Sequence, residues 1–501
     1  MNQLRRIRFW APATIMVCLT SILIISGQNP PGTGRDGDPG VPMFLTSPVD
    51  SDIAARGLTE GHRTFDNTSR VPAPFQVDLG AAAYNPATPG TGFTPLQLPS
   101  NVSNSSEYEG ETGAASYGGL IVGGSNHIFP GACGSNNCFP LAYASTNGTQ
   151  WTKTVLPRVW NGVNLGIGFD PSIDVDKTGV FYYVYGVAPF SGNYPNGVVA
   201  VKSSDGQNWS QLPTITFNNN KFFDDKYWVA VDRSNSTFAN RIYVVWDRNS
   251  ATNQTLYVSY SANGGQSWSS PIQVNDGRSK FERVIGAYPA VDQNTGRVYV
   301  SWHDYARNVI YVDKSTNGGV TWGSDVAAAT THTGFGMDIG CVGGRSQSPA
   351  HHLKVGSDGT LHLVYADKVA GRGFDILYTR STNAGASWST PVSLNDDIGS
   401  ADQFHPTLSV DGIVVTVSWY DRRNDSANCQ AQVYARQSAD GGASWATNSA
   451  VYTVNSNFDG NPNGPGDYSS ATPSSLGGVS FFSIHPSGQP FDVYASTIPN
   501  P

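Results

Sequence analysis

The sequence predicts an all-β fold, a β-propeller of four-stranded blades, and three observations carry that expectation. A short turn motif recurs six times: Ser145-Thr-Asn147-Gly-Thr-Gln-Trp151, Ser203-Ser-Asp205-Gly-Gln-Asn-Trp209, Ser261-Ala-Asn263-Gly-Gly265-Gln-Ser-Trp268, Ser315-Thr-Asn317-Gly-Gly319-Val-Thr-Trp322, Ser381-Thr-Asn383-Ala-Gly385-Ala-Ser-Trp388 and Ser438-Ala-Asp440-Gly-Gly442-Ala-Ser-Trp445. Successive motifs lie 54 to 66 residues apart, a period that marks a repeat architecture. Charged residues make up only 14% of the 501, against 55 Gly, 23 Tyr and 12 Trp, which suits many tight turns between short apolar strands.

Each motif has a physical logic. Asn or Asp followed by Gly is turn chemistry: a short side chain that bonds its own backbone, then a residue free to take φ > 0. The Ser hydroxyl braces the same turn, and the Trp is a large anchor that plugs it onto a neighbour. Strand-like runs flank it, as in Thr255–Tyr260 before the third motif and Pro271–Val274 after it.

Taken in order, the chain opens with a basic run, Arg5 to Arg8, and an apolar stretch from Phe9 to Ile25. That pattern is expected to be a secretory signal peptide over 1–27, with an uncleaved membrane anchor as the alternative. Residues 28–66, rich in Gly and Pro, are expected to be a linker or leader, and the propeller to span 67–501. Phe75–Leu79 is the first strand-like run. The repeat unit becomes legible from about residue 107. In its third copy, Tyr227–Asp232 and Arg241–Trp246 are the first two strands, and the motif turn joins the third to the fourth. The final runs, 467–473, 478–484 and 491–495, make three strands without a motif. Seven blades are therefore favoured over six, with the run near Phe75 supplying the missing strand and closing the ring.

Net charge is −8 with no basic cluster beyond the N-terminus, which argues against a nucleic-acid partner. Of five cysteines, Cys18 lies in the apolar stretch. Cys133, Cys138, Cys341 and Cys429 remain, an even number in an exported chain. Cys133 and Cys138 suit a loop staple; Cys341 and Cys429 would then pair if their loops meet. Without Cys-x-x-Cys spacing, zinc is not expected. Eight Asn-x-Ser/Thr sequons matter only in a glycosylating host. No metal or cofactor is expected; structural calcium is not readable from the sequence. A secreted monomer acting on a glycan is the expectation, touching a membrane only through an uncleaved N-terminal segment.

In a four-stranded meander the motif turns occupy one face, so chemistry is expected on the other. One candidate set follows the second strands: Asp247 and Arg248, Trp302 and Asp304, Asp367, and Trp419, Asp421, Arg422 and Arg423. Carboxylates, cations and rings around a central depression suit a sugar. As a structural alternative, each Asp caps its turn and each aromatic packs between blades. A second set lies on the blade links: Asp224, Asp225, Lys226 and Tyr227; Glu282, Arg283 and Tyr288; Arg345, His351 and His352; Asp402 and His405; Asp467 and Tyr468. Glu282 stands out because, of five Glu, it alone lies beyond residue 111.

The six motifs resemble the Asp-box (BNR) repeats of the sialidase superfamily, Ser-x-Asp-x-Gly-x-x-Trp. Four copies match that spacing, and four carry Asn for Asp. The resemblance implies a propeller whose boxes face away from the active site. It also implies a Tyr nucleophile activated by Glu, an Asp acid/base, and three Arg that grip a substrate carboxylate. Carried onto this chain, Tyr468 in Gly466-Asp-Tyr468-Ser469 is the nucleophile, Glu282 its base and Asp225 the acid. Arg283, Arg345 and Arg422 form the clamp, with Asp247, Asp304, Asp421, Trp302 and Trp419 lining the substrate site. The chain departs from the family in lacking the Arg-Ile-Pro motif that supplies the first Arg; Arg158-Val-Trp160 is no substitute. The reading is a sialidase-like glycoside hydrolase, with acidic sugars as candidate substrates. Two alternatives stand beside it: a non-catalytic carbohydrate- or protein-binding propeller, and a polysaccharide lyase using His303 or His405 with a Tyr.

Overall fold

The computed structural model describes residues 99–104, 108–128, 139–160, 162–165, 167–188, 196–218, 223–249, 254–277, 283–333, 339–342, 350–459 and 464–501. Among them there is no helix. The strands form seven antiparallel blades arranged in a ring, a seven-bladed β-propeller. Inner strands touch in order around the ring, and the first touches the last.

Blade one comprises Tyr108–Tyr117, Leu120–Ile128, Leu141–Ser145 and Thr152–Val155. Blade two comprises Ile167–Val175, Phe181–Ala188, Asn196–Ser203 and Ser210–Gln211, with Thr216–Asn218 also paired to its third strand. Blade three comprises Phe223–Val231, Ile242–Asn249, Gln254–Ser261 and Ile272–Gln273. Blade four comprises Val284–Val291, Val298–Asp304, Val309–Ser315 and Val326–Thr330. Blade five comprises His352–Val355, Leu361–Lys368, Phe374–Ser381 and Val392–Ser393. Blade six comprises Gln403–Asp411, Val414–Asp421, Ala431–Ser438 and Ser449–Ser456. Blade seven is Ser470–Ser474, Gly477–Ile484 and Asp492–Ile498, and its outer strand is Ser100–Asn101 from the other end of the chain.

The expected seven blades are thus observed, closed by a segment other than the one anticipated. Ser100 pairs with Ala495 and Asn101 with Tyr494. The run Phe75–Leu79 lies outside the described residues, as do residues 1–66.

Each of the six motif turns joins a third strand to a fourth and shares one hydrogen-bond pattern. In the turn at Ser261, the Ser261 Oγ accepts from the Gly265 amide at 2.9 Å and donates to Asn263 Oδ1 at 2.9 Å. That oxygen also accepts from the Ser267 amide at 3.0 Å. In the two shorter copies the indole closes the turn: Trp151 Nε1 donates to the Gly148 carbonyl at 3.2 Å and Trp209 Nε1 to the Gly206 carbonyl at 3.1 Å. These turns gather on one face of the ring.

The opposite face is built by a second repeated device. In blades one, two, three, four and six the inner strand slips register near its beginning, a β-bulge. A residue at each slip has positive φ: Glu111 (52°), Asp170 (56°), Lys226 (50°), Gly286 (72°) and His405 (47°). Four of the five carry side chains, for which this conformation is unfavourable. Bulges re-aim side chains. Here they turn charged groups inward, where strict alternation would have put them between sheets.

Candidate active site

Around the axis, the rings of Trp228, Tyr288, His352 and Tyr468 converge as a buried aromatic floor. Trp228 lies 4.4 Å from Tyr288 and 4.9 Å from Tyr468, and Tyr288 lies 4.8 Å from His352. Above the floor sits a buried charged cluster. The Lys226 ammonium pairs with Asp467 and lies 3.6 Å from Asp170. Glu111 is drawn in by its neighbours: it accepts from Asn126 Nδ2, and from the Asp467 amide at 3.0 Å. Asn126 Oδ1 in turn accepts from the Asp170 amide at 2.8 Å, tying blades one and two together at this point.

The acids of this cluster are pushed toward their neutral forms. Burial raises Asp170 to about 6, with Lys226 opposing. Burial raises Asp225 to about 7, against the pull of Lys226 and with help from Asp247 and Asp467. Asp247, raised by burial to about 7, is partly offset by Asn249. Burial opposes the charge of Lys226, but the surrounding carboxylates hold it well above the ordinary lysine value.

The sequence-derived candidates separate into three groups. Tyr468, Asp225 and Asp247 are brought to this centre. Tyr468 is buried, its Oη donates to the Pro171 carbonyl at 3.4 Å, and Lys226 Nζ stands 5.9 Å from its ring centroid. Burial first, then Asp170, Glu111 and Asp467, push the phenol well above its usual value. Asp225 is buried, and neither of its oxygens has a hydrogen-bond partner among the described residues; the adjoining Lys226 amide approaches without hydrogen-bond geometry. Asp247 accepts from Asn249 Nδ2 at 2.9 Å and from the Gly286 amide at 3.4 Å.

A second group, expected at the substrate site, is placed as follows. Trp302 and Trp419 are 1% exposed and packed inside the blades, so neither presents a ring face to a sugar. Trp302 packs against Tyr311 and Trp419 Nε1 donates to Asp421 at 2.8 Å. Asp421 is also held by Arg423 through Nε at 2.9 Å and Nη2 at 2.7 Å. Asp304 caps its own turn, accepting from the Ala306 amide at 3.1 Å and pairing with Arg307. Arg422 is wholly buried and donates to the carbonyls of Ile339 at 3.0 Å and Gly340 at 2.7 Å. A guanidinium already engaged with two backbone carbonyls and Asp402 anchors a loop. Arg283 is half-buried just ahead of the inner strand of blade four.

In the third group, Glu282, Arg345, Cys133 and Cys138 lie outside the described residues. The other cysteine pair is formed: Cys341 and Cys429 are disulfide-bonded, with Cα atoms 5.2 Å apart. Of the histidines proposed for elimination chemistry, His303 is buried and held neutral, its value lowered to about 3, and bonded to Thr331 Oγ1 at 3.0 Å. His405 occupies the bulge of blade six.

Glu111, Asp170 and Trp228 were missed from the sequence. Aligning the inner strands would have found Asp170 and Trp228. Asp170-Pro171-Ser172, Lys226-Tyr227-Trp228 and His405-Pro406-Thr407 occupy one offset in their blades, and Ser172, Trp228 and Thr407 are each the first paired residue after the slip.

The class this fold and site define is a seven-bladed propeller with an acidic, aromatic-floored centre on the face away from its repeated turns. No family model and no curated protein matches the chain. Several solved structures are similar in fold. One is a protein of unknown function from Dyadobacter fermentans, 13% identical, covering 83% of this chain and 100% of that one at a TM-score of 0.48. Another is an α-L-arabinanase from Penicillium chrysogenum, 11% identical, covering 81% and 98% at 0.47. A third is a Hadza microbial sialidase, 12% identical, covering 72% and 73% at 0.43. At such identities and scores no residue role passes from them to this chain.

Proposed function

We propose that the protein is a glycoside hydrolase whose chemistry is done at the axial cluster, with Asp225 as acid/base and Tyr468 as nucleophile. The observation that carries this reading is Asp225: a buried carboxyl without a hydrogen-bond partner among the described residues, raised to about 7, beside a phenol and an aromatic floor. Structural carboxylates are normally hydrogen-bonded or paired, and an unsatisfied one in a core is costly unless it serves a function. A carboxyl still protonated near neutrality can deliver its proton to a glycosidic oxygen. Tyr468 then attacks the anomeric carbon as its own proton passes to one of the surrounding carboxylates, Asp170, Glu111 or Asp467. Water releases the sugar in the reverse sequence, with Asp225 now taking the proton. The buried rings of Trp228 and Tyr288 form the floor beneath these groups.

Charge balance favours a neutral sugar over an acidic one. Five carboxyls surround this centre, and among the described residues the cation that an ion pair places against them is Lys226. An anionic sugar here would add charge to a site already in excess of it. On this reading the Tyr-and-carboxyl chemistry of the resemblance is kept, while of the expected clamp Arg422 is engaged with Asp402 and two backbone carbonyls and Arg345 lies outside the described residues. The disulfide favours an oxidising compartment and agrees with a secreted enzyme.

The test is product analysis with neutral, sialylated and uronate glycans. Hydrolysis of a neutral glycoside is expected, with Asp225→Asn and Tyr468→Phe each reducing turnover by about 10²-fold or more. An unsaturated uronate product would point instead to a lyase. Saturable glycan binding without turnover would leave a binding propeller.

A further inference from the structure

Asp225 and Asp247 are direct cross-strand partners in blade three, where Phe223 pairs with Asn249, Asp224 with Arg248 and Asp225 with Asp247. Residues so opposed project to one face with Cβ atoms roughly 4.5–5.5 Å apart, and like charges placed there repel. Both carboxyls are essentially inaccessible, so water does not screen the repulsion. The two are not equivalent. Asp247 receives the Asn249 amide and the Gly286 N–H, donors that favour an ionised carboxylate. Asp225 has only the approach of the adjoining Lys226 amide, outside hydrogen-bond geometry.

We propose that Asp247 is a positioning residue that keeps the proton on Asp225, so that the two act as one carboxyl–carboxylate pair. This rests on the reading of Asp225 as the acid. Asp247 carries the charge because it has the donors. Asp225 carries the proton because a second anion opposite the first, in the same dry space, is the expensive alternative. The groups facing the pair leave this asymmetry in place. Blade three itself adds Lys226 and the Tyr227 phenol, blade two Asp170, the segment entering blade seven Asp467, and blade four the Gly286 amide. Lys226 attracts both members, but its ammonium is already paired with Asp467. Loss and regain of the proton belong to the pair as a whole, as for any strongly coupled acids.

The experiment is an infrared pH titration of the protonated-carboxyl band in the full chain, run with pH–rate profiles on whichever glycan it cleaves. Wild type should keep protonated-carboxyl absorption to about pH 7, and the difference between wild type and Asp225→Asn should isolate the band that belongs to Asp225. In Asp247→Asn the Asp225 band should disappear at a pH lower by about 1 or more, since its anionic neighbour is gone. The alkaline limb of activity should move with it, giving about tenfold lower turnover on that side. Lys226→Met should move the band and limb the other way. Asn249→Ala, which leaves both carboxyls in place, should move them in the same direction as Asp247→Asn but less, and serves if Asp247→Asn does not fold. A band that titrates unchanged or higher in Asp247→Asn overturns the pair, even if Asp225 proves essential for hydrolysis. A band that moves as expected in a chain that cleaves no glycan upholds the pair and removes the hydrolase reading.

Discussion

Glu111, Asp170, Lys226 and His405 sit in a conformation that costs a residue with a side chain on the order of 1 kcal/mol or more. The same charged or polar groups, at one position in blade after blade, are buried. Their protonation should therefore be visible in stability. The folded value of Asp225, about 7, is above the unfolded one, so between about pH 4 and 7 the folded chain holds the extra proton. Stability must fall as pH rises through that window. His303, lowered to about 3, and His351, lowered to about 4, act in the opposite sense, adding stability as pH rises toward 6.5. Both histidines are common to wild type and Asp225→Asn, so the comparison isolates the aspartate. The unfolding free energy of Asp225→Asn should gain on that of wild type from pH 5 to about pH 7, by on the order of a few kcal/mol, and level off above it. Parallel curves would mean that Asp225 is ionised in the fold. Sequence reading singled out Asp225 and Asp247 as carboxyls at strand ends and blade links, and Tyr468 through its Gly466-Asp-Tyr468-Ser469 context. It missed Asp170 because Asp-Pro looks like an ordinary turn, and a bulge has no signature in apolar alternation.

The four-stranded unit was the most legible element, since its turns carry their own chemistry. What the pattern did not reveal is how unequally the anchoring indoles are buried. Trp445 is 1% exposed and packs edge-on against Tyr378 of the preceding blade at 4.8 Å. Trp268 is only half-buried, donating its N–H to the Pro213 carbonyl at 3.0 Å. A motif reports the turn; the depth of the groove into which its Trp falls depends on side chains of another blade. Trp445→Ala should cost about 3–5 kcal/mol in urea unfolding, as for other buried aromatics. Trp268→Ala should cost well under half of that. Equal losses would mean that the indoles act through their own turns alone, without the neighbouring blade. Trp302 and Trp419 show the converse difficulty: a Trp at a strand end reads equally as a stacking platform or as core, and only packing decides.

At the scale of the whole ring, the number of blades was legible because three strands near the C-terminus had no other place. The strand that completes their sheet was not, because Ser100–Asn101 is two residues long and has no alternation to read. Its contribution comes from side chains. Asn101 Nδ2 and Ser103 Oγ donate to the two oxygens of Asp492 at 2.7 and 2.6 Å, and Ser103 Oγ accepts from the Val493 amide at 2.9 Å. Lys153 of blade one donates to the Ser103 carbonyl at 2.7 Å, so the same residue links the last blade to the first. Across the ring, the disulfide spans 88 residues and ties the link between blades four and five to blade six. Ser103→Ala leaves a buried carboxylate and an amide each short of a partner, and should cost about 1–3 kcal/mol. Replacing Cys341 and Cys429 by Ser should cost about 2–4 kcal/mol, chiefly by freeing the unfolded chain. The two devices share no hydrogen-bond partners, so the triple variant should lose the sum to within about 0.5 kcal/mol in a reversible denaturant titration. A loss well below that sum would mean that the ring does not unfold as one cooperative unit, and that blades five and six open separately from the seam between blades seven and one.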